Sequence, residues 1–146
     1  MKGLNSRMSG VTLLEILLVL AIAAMIIIMS IRYYQSATDS EQANMAMEQI
    51  QAITAAADNL ALGGGSYLAS VSQAAISSVV GSNNMNTPNG SLITISNVVA
   101  TSYGVSMPLG TTVCTSVLAK LQGNNKVSGT AACTAGTLSY TYDNTK

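Results

Sequence analysis

Few side chains in this sequence could perform acid–base or metal chemistry, and they are unevenly distributed. The 146 residues include six acids and six bases but no histidine. Asp58 and Asp143 are the only acidic residues after Glu48. The C-terminal half therefore lacks the carboxylate pair that general acid–base catalysis uses. The absence of imidazole excludes catalytic triads and metal sites that depend on histidine. We therefore expect no enzymatic activity, no metal site and no cofactor.

Two further features that could bind a ligand are weak. Gly63, Gly64 and Gly65 form a glycine cluster, but it lacks the Gly-Lys-Ser/Thr continuation of a phosphate-binding loop. The three lysines of the C-terminal half, Lys120, Lys126 and Lys146, form no basic cluster interleaved with aromatic residues, as a nucleic-acid interface would require. The net charge is zero. The sequence thus predicts no specific nucleic-acid partner.

Glu15 is the carboxylate in the most unusual position. It is the one ionisable residue between Val11 and Ile31, a stretch of about 30 Å as a helix, which matches the hydrocarbon thickness of a bilayer. A carboxylate in that environment costs about 2.5 to 3.5 kcal/mol on insertion scales. We therefore expect Glu15 to need a partner.

The charges before the apolar stretch predict its orientation in a membrane. Lys2 and Arg7 lie at the N-terminal side, so the positive-inside rule places them in the cytoplasm and exports the chain after Arg32. Three other interpretations stay open: a signal peptide cut after Ala23, a simple signal anchor, and a buried core helix. The last is disfavoured because nothing else in the chain could cover so apolar a helix.

The residues around Glu15 carry a resemblance to a known family. The sequence GVTLLE at 10–15, after a short basic leader and before a long apolar stretch, resembles the processing site of type IV prepilins. The resemblance implies that a prepilin peptidase cuts after Gly10 and methylates Val11, and that Thr12 and Glu15 serve assembly. The family commonly has Phe, Met or Leu where this chain has Val11.

A physical role for Glu15 follows from that cleavage. The freed ammonium of Val11 would lie at the positive end of its own helix dipole, which is unfavourable for a cation. The Glu15 carboxylate of a neighbouring copy would neutralise it. Such a pair offsets the desolvation of both charges and sets the axial register between copies.

The helix should continue well beyond the apolar stretch. No Pro or Gly interrupts residues 11–62, and Gly63 to Gly65 supply a stop signal. Apolar residues recur with spacings of three and four, which predicts an amphipathic stripe, with Glu41, Glu48 and Asp58 off it in polar surroundings. The stripe consists of Ala43, Ala46, Ile50, Ile53, Ala57 and Leu60.

The remaining residues predict a small mixed domain. We expect a short helix, two strands, a helix capped by Thr111 or Thr112, and a final strand. The predicted ranges are Ser66–Ser78 for the short helix, Ser91–Val99, Thr101–Met107 and Thr137–Tyr142 for the strands, and a helix burying Val113, Val117, Leu118 and Leu121. Alternation places Tyr103, Val105 and Met107 on one face of the second strand, and Leu138, Tyr140 and Tyr142 on one face of the last. The exported domain should pair Cys114 with Cys133.

These elements give an α+β fold, a long N-terminal helix packed on a small antiparallel sheet. The predicted organisation is a leader at 1–10, a helix at 11–62 with a transmembrane and assembly segment at 11–31, and a globular head at 63–146.

The resemblance implies a function and partners. The chain would be the major subunit, type IVb-like, of an extracellular type IV pilus that serves adhesion, aggregation, conjugation or motility. Its partners would be identical subunits, the prepilin peptidase, the assembly platform, its ATPase and an outer-membrane secretin, with the inner membrane of a Gram-negative bacterium holding the precursor. The alternatives are a type II secretion pseudopilin or minor pilin, and, from another class, a signal-anchored periplasmic binding module.

Overall fold

A computed structural model describes residues 13–145. It contains two compact units, one that ends at Ala37 and one that begins at Thr38. The first helix, α1, spans Leu13–Gly64. The predicted long helix and its end at the glycine cluster are therefore confirmed. Gly65 has a φ of +80°, and its amide donates to the carbonyl of Ala61 at 2.7 Å, which closes the helix in the left-handed conformation that glycine adopts without strain.

The second half of α1 forms one wall of the core of the second unit. Five of the six stripe residues are buried, and the sixth, Leu60, is half-buried and packs against the core. Ala56 is buried as well. Glu41 and Glu48 are exposed, whereas Asp58 is half-buried. The spacing of apolar residues thus identified the face of α1 on which the head packs.

Two short helices replace the single one predicted for Ser66–Ser78. The helices are α2, Tyr67–Ser70, and α3, Gln73–Val80. The prediction was wrong because Ser66 and Ser72 each cap a separate helix, their side chains accepting from the amides of Ala69 and Ala75. Serine competes for backbone hydrogen bonds in this way at helix starts. A 3₁₀ turn, Ser82–Met85, follows.

A four-stranded antiparallel sheet completes the head. Its strands are β1, Thr94–Ser96; β2, Ser102–Pro108; β3, Val127–Thr134; and β4, Thr137–Asp143. Their order in the sheet is β1-β2-β4-β3. Helix α4, Thr111–Leu121, connects β2 to β3. The predicted α+β class, a long helix packed on a small antiparallel sheet, is confirmed.

The inner face of the sheet carries the alternating residues that the sequence predicted. Tyr103, Val105 and Met107 of β2 are buried, as are Leu138, Tyr140 and Tyr142 of β4. The registers place Tyr103 opposite Tyr142 and Val105 opposite Tyr140. The central strand pair therefore supplies much of the core.

Three further features of the head differ from the prediction. The strand expected at Ser91–Val99 has only three residues, and Val99 is 49% exposed. Strand β3 was not predicted at all. Helix α4 has no side-chain cap from Thr111 or Thr112, because its N-cap is Gly110, with a φ of +84° and no capping hydrogen bond.

The predicted disulfide is present. Cys114 of α4 and Cys133 of β3 are bonded, with their Cα atoms 6.0 Å apart. The bond ties the late helix to the edge strand of the sheet. Both cysteines lie in elements that contact each other, so the bond stabilises a pairing that packing already favours.

Candidate functional site

The first half of α1 presents an uncovered apolar surface. Every large apolar side chain from Leu13 to Ile31 is at least half exposed, from 50% at Ile16 to 79% at Leu13. Among the described residues, α1 is the one helix long and apolar enough to cross a membrane, with a mean hydropathy of 2.8 over its most apolar window. None of that window is buried within the chain. A helix that is apolar on all sides requires lipid or protein around it.

Glu15 lies in the first turn of α1 as described and is exposed. A carboxylate at that position interacts favourably with the positive end of the helix dipole. The other residues of the predicted processing and assembly site, Gly10, Val11 and Thr12, lie outside the described residues. Cleavage after Gly10, methylation of Val11 and the assembly role of Thr12 therefore stay predictions.

Polar and aromatic residues mark the end of the apolar surface. Arg32 follows Ile31 directly, and the next two residues, Tyr33 and Tyr34, are 80% and 71% exposed. Tyrosine and arginine are enriched where a membrane helix leaves the hydrocarbon, because the ring is amphipathic and the guanidinium reaches the head groups. This order of residues matches the boundary expected for a membrane segment that ends near Ile31.

The head contains a hydrogen-bonded tyrosine cluster centred on Asp58. The hydroxyls of Tyr67 and Tyr142 both donate to its carboxylate, Tyr142 at 3.2 Å from Oδ2. The ring of Tyr103 lies between them, with centroids 5.3 Å from Tyr67 and 5.4 Å from Tyr142. Sequence analysis placed Asp58 in polar surroundings and missed this role. The signal was the tyrosine content of a core without Phe or Trp, since a buried tyrosine hydroxyl needs a partner.

Burial perturbs the ionisation of these tyrosines. Desolvation, as the largest cause, raises the pKa of Tyr67 and of Tyr103 well above the ordinary value of 10.0, and nearby Asp58 adds to both. Desolvation also raises the pKa of Tyr140 and of Tyr142. The neutral phenols are therefore strongly preferred in the folded head.

A groove of about 530 Å³ opens beside this cluster, where α1 ends. Its lining includes the polar groups of Asp58 and Tyr67 and the apolar side chains of Ala61 and Leu62. Ser66, Ala100, Thr101, Asn144 and Thr145 complete most of its lining. Within residues 13–145 there is no group of three or more acids or cysteines placed to hold a metal ion. The groove offers one carboxylate and several hydroxyl and amide groups, which suit hydrogen bonding.

Comparisons with protein-family models, with curated proteins and with solved structures found no match to this chain. Function is therefore inferred from the residues and their geometry. The feature that most needs a function is the uncovered apolar half of α1, because a chain in water would not keep it exposed.

Proposed function

We propose that this chain is a structural subunit that polymerises through α1 into an extracellular filament of the type IV pilus kind. The supporting observation is the contrast between the two parts of α1. The part beyond Thr38 contributes the buried stripe of the head, whereas the part from Leu13 to Ile31 buries nothing within the chain. A subunit that moves from a membrane into a filament needs a helix part that holds the head and a helix part that is free to contact lipid or other copies.

The energetics favour complete coverage of the apolar half. Each Leu, Ile, Val or Met side chain gains about 1.5 to 3 kcal/mol when it leaves water. Lipid covers these side chains in the precursor, and the corresponding helices of other copies cover them in the filament. Assembly then exchanges one apolar environment for another, so specificity must come from packing and from polar pairs.

Glu15 is the polar group that selects the register in this proposal. Cleavage after Gly10 creates an ammonium on Val11, and the Glu15 carboxylate of an adjacent copy neutralises it. The prepilin peptidase performs the cleavage in the inner membrane, and the assembly platform, ATPase and secretin extrude the filament. Covalent closure of the head by Cys114 and Cys133 suits an exported, oxidising environment.

Replacement of Glu15 by Ala tests the proposal. We expect Glu15→Ala to be processed and retained in the membrane but absent from sheared extracellular filaments, because the Val11 ammonium would have no counterion. Glu48→Ala is the matched control, since Glu48 is an exposed carboxylate of the same helix outside the apolar half. Glu15→Ala filaments at the wild-type yield would refute the role of Glu15.

The groove beside Asp58 favours a second candidate, a membrane-anchored binding module. Its volume of about 530 Å³ lies within the range of small-molecule sites, about 300 to 1,000 Å³. In that case the apolar half of α1 acts only as an anchor. The N-terminus of the exported protein separates the two: a start at Val11 supports the filament subunit, whereas a start at Met1 supports the anchored module.

A further inference from the structure

The groove at the end of α1 has a single charged group in its lining, the carboxylate of Asp58. The other lining side chains are apolar or carry neutral hydroxyl and amide groups. A carboxylate in the wall of an otherwise neutral groove attracts cations and repels anions. The electrostatics of the groove therefore favour a positively charged ligand.

The carboxylate of Asp58 has unused acceptor sites. It accepts one hydrogen bond from the hydroxyl of Tyr67 and one from that of Tyr142, whereas a carboxylate can accept about four. Both donors are neutral, and within residues 13–145 no lysine or arginine donates to this carboxylate. Asp58 is half-buried, so water compensates its charge only in part. A cation in the groove would meet a carboxylate without a counterion.

Lys126 contacts the tyrosine cluster but does not pair with Asp58. Its ammonium lies 5.8 Å from the centroid of the Tyr142 ring and donates to the side-chain oxygen of Asn144 at 3.5 Å. Lys126 does not line the groove. The acceptor sites of Asp58 are thus available to a cation from outside the chain.

The size and the apolar lining favour an organic cation over a metal ion. A metal ion needs several oxygen ligands of high charge, and Asp58 is the one carboxylate of this groove. The volume of about 530 Å³ also far exceeds that of an ion. Leu62 is 84% exposed, and together with Ala61 it offers an apolar surface on which a hydrocarbon chain loses contact with water.

We propose that this groove binds an alkylammonium group, such as a lysine side chain carries, with the ammonium on Asp58 and the methylene chain against Leu62. The three N–H donors of an ammonium suit the unused acceptor sites of a carboxylate, and charge-assisted hydrogen bonds are roughly twice as strong as neutral ones. Ser66 and Thr101 provide hydroxyl groups for the peptide groups that flank a lysine. The inference goes beyond the filament proposal and does not depend on it, because every residue involved lies in the second unit.

Titration of the detergent-solubilised full chain with three small probes tests the groove. The probes are Nα-acetyl-lysine methylamide, its norleucine analogue, which lacks the ammonium, and pentane-diamine, which lacks the peptide groups. We expect the lysine probe to bind with a Kd at least about tenfold below that of the norleucine probe in isothermal titration calorimetry.

The diamine distinguishes the two sources of such a group. Weaker binding of the diamine than of the lysine probe assigns the groove to lysine in a peptide, whereas equal or tighter binding assigns it to free amines. Equal affinities of the lysine and norleucine probes, or no binding of either amine, overturn the proposal. The filament proposal is unaffected by these results, because its test is the start of the chain in extracellular filaments.

Variants locate the binding. Asp58→Asn keeps an acceptor oxygen for the tyrosine hydroxyls but removes the charge, and we expect it to raise the Kd of the lysine probe at least about tenfold. Should that variant not fold, Thr101→Lys tests the same point, because it adds a cation at an exposed position of the lining. Thr94→Lys is the matched control, since Thr94 is exposed and does not line the groove. Loss of binding in Thr101→Lys alone supports the proposal, whereas wild-type affinity in Thr101→Lys or equal loss in both variants overturns it.

Discussion

The hydroxyl of Tyr142 donates a hydrogen bond to the carboxylate of Asp58, which lies 84 residues earlier in the chain. The hydroxyl of Tyr67 donates to the other oxygen of the same carboxylate. One side chain of α1 thereby joins the helix to α2 and to the last strand of the sheet. The backbone strengthens this junction, since the amide of Tyr67 donates to the carbonyl of Ala100 at 3.1 Å.

Loss of this carboxylate should destabilise the head. In Asp58→Ala both hydroxyls lose their acceptor, and an unsatisfied buried donor costs about 1 to 3 kcal/mol. We expect the free energy of unfolding of the detergent-solubilised full chain, measured by urea denaturation, to fall by about that amount. Asn59→Ala, at an exposed neighbouring position, should change it little. Equal stability of the two variants would contradict the role assigned to Asp58.

The buried tyrosines predict alkaline unfolding. Burial raises the pKa of Tyr67, Tyr103, Tyr140 and Tyr142, whereas unfolded tyrosine ionises near its ordinary pKa of about 10. Above about pH 10 the unfolded chain therefore binds fewer protons than the native chain, and the free energy of unfolding falls as pH rises. Tyrosinate absorbance should rise for these four residues together with loss of the folded circular dichroism signal. Ionisation of all six tyrosines before unfolding would disprove this.

A variant of Tyr103 isolates one of these contributions. The hydroxyls of Tyr103 and Tyr140 are buried without a hydrogen-bond partner among the described residues. We expect Tyr103→Phe to keep or raise the free energy of unfolding at neutral pH, because no hydrogen bond is lost, and to reduce the loss of stability above pH 10. Urea denaturation at two pH values measures both effects. A variant that is less stable at neutral pH and equally sensitive to alkali would contradict the expectation.

Elements with a clear periodicity were predictable from the sequence, and elements defined by their neighbours were not. The stripe from Ala43 to Leu60 and the alternation in β2 and β4 identified their buried faces correctly. Strand β3 has the sequence VSGTAACT, in which small residues and a glycine hide any alternation. Its register with β4 shifts between Ser128 and Ala132. Pairing with β4 and the bond from Cys133 to α4, rather than strand propensity, determine its conformation.

The residues of the candidate site were likewise predictable from the sequence only in part. Glu15 stands out in the sequence because a carboxylate within an apolar run is costly whatever tertiary structure the chain adopts. Asp58 does not stand out, because its importance depends on two tyrosines that are distant in the sequence. The cap of α4 was mispredicted for a related reason: Thr111 is a favourable cap by type, but the N-cap position is taken by Gly110, whose φ is positive.

Removal of the disulfide should lower the free energy of unfolding, because the unfolded chain then gains conformational entropy. A loop closed by residues 19 apart contributes about 3 kcal/mol in the chain-entropy treatment. We expect Cys114→Ser with Cys133→Ser to reduce the free energy of unfolding by about that amount in urea denaturation. Reductant should destabilise the wild-type chain and leave the double variant unchanged. An effect of reductant on the double variant would show that another process is responsible.

The β3–β4 turn should tolerate no side chain at Gly136. Ala135 and Gly136 both have positive φ, +49° and +79°, as a two-residue hairpin turn requires. A Cβ on Gly136 would lie 3.0 Å from the Cα of Gly110, and the Gly136 carbonyl accepts from the amides of Leu109 and Gly110.

We expect Gly136→Ala to lower the free energy of unfolding by at least about 1 kcal/mol, because strain and backbone crowding combine. Gly123→Ala is the matched control, since a Cβ there meets nothing nearer than the Lys120 carbonyl at 3.7 Å. Thermal denaturation of the two variants measures the difference. A Gly136→Ala chain as stable as Gly123→Ala would show that the turn relaxes at no cost.

The proposed filament requires that the uncovered apolar half of α1 become a polymerisation surface after cleavage at Gly10. Mass spectrometry of the subunit in filaments sheared from the cell surface tests it most directly. We expect extracellular filaments built from a chain that begins at Val11 and retains the bond between Cys114 and Cys133. A chain that begins at Met1, stays in the membrane and forms no filaments would contradict it.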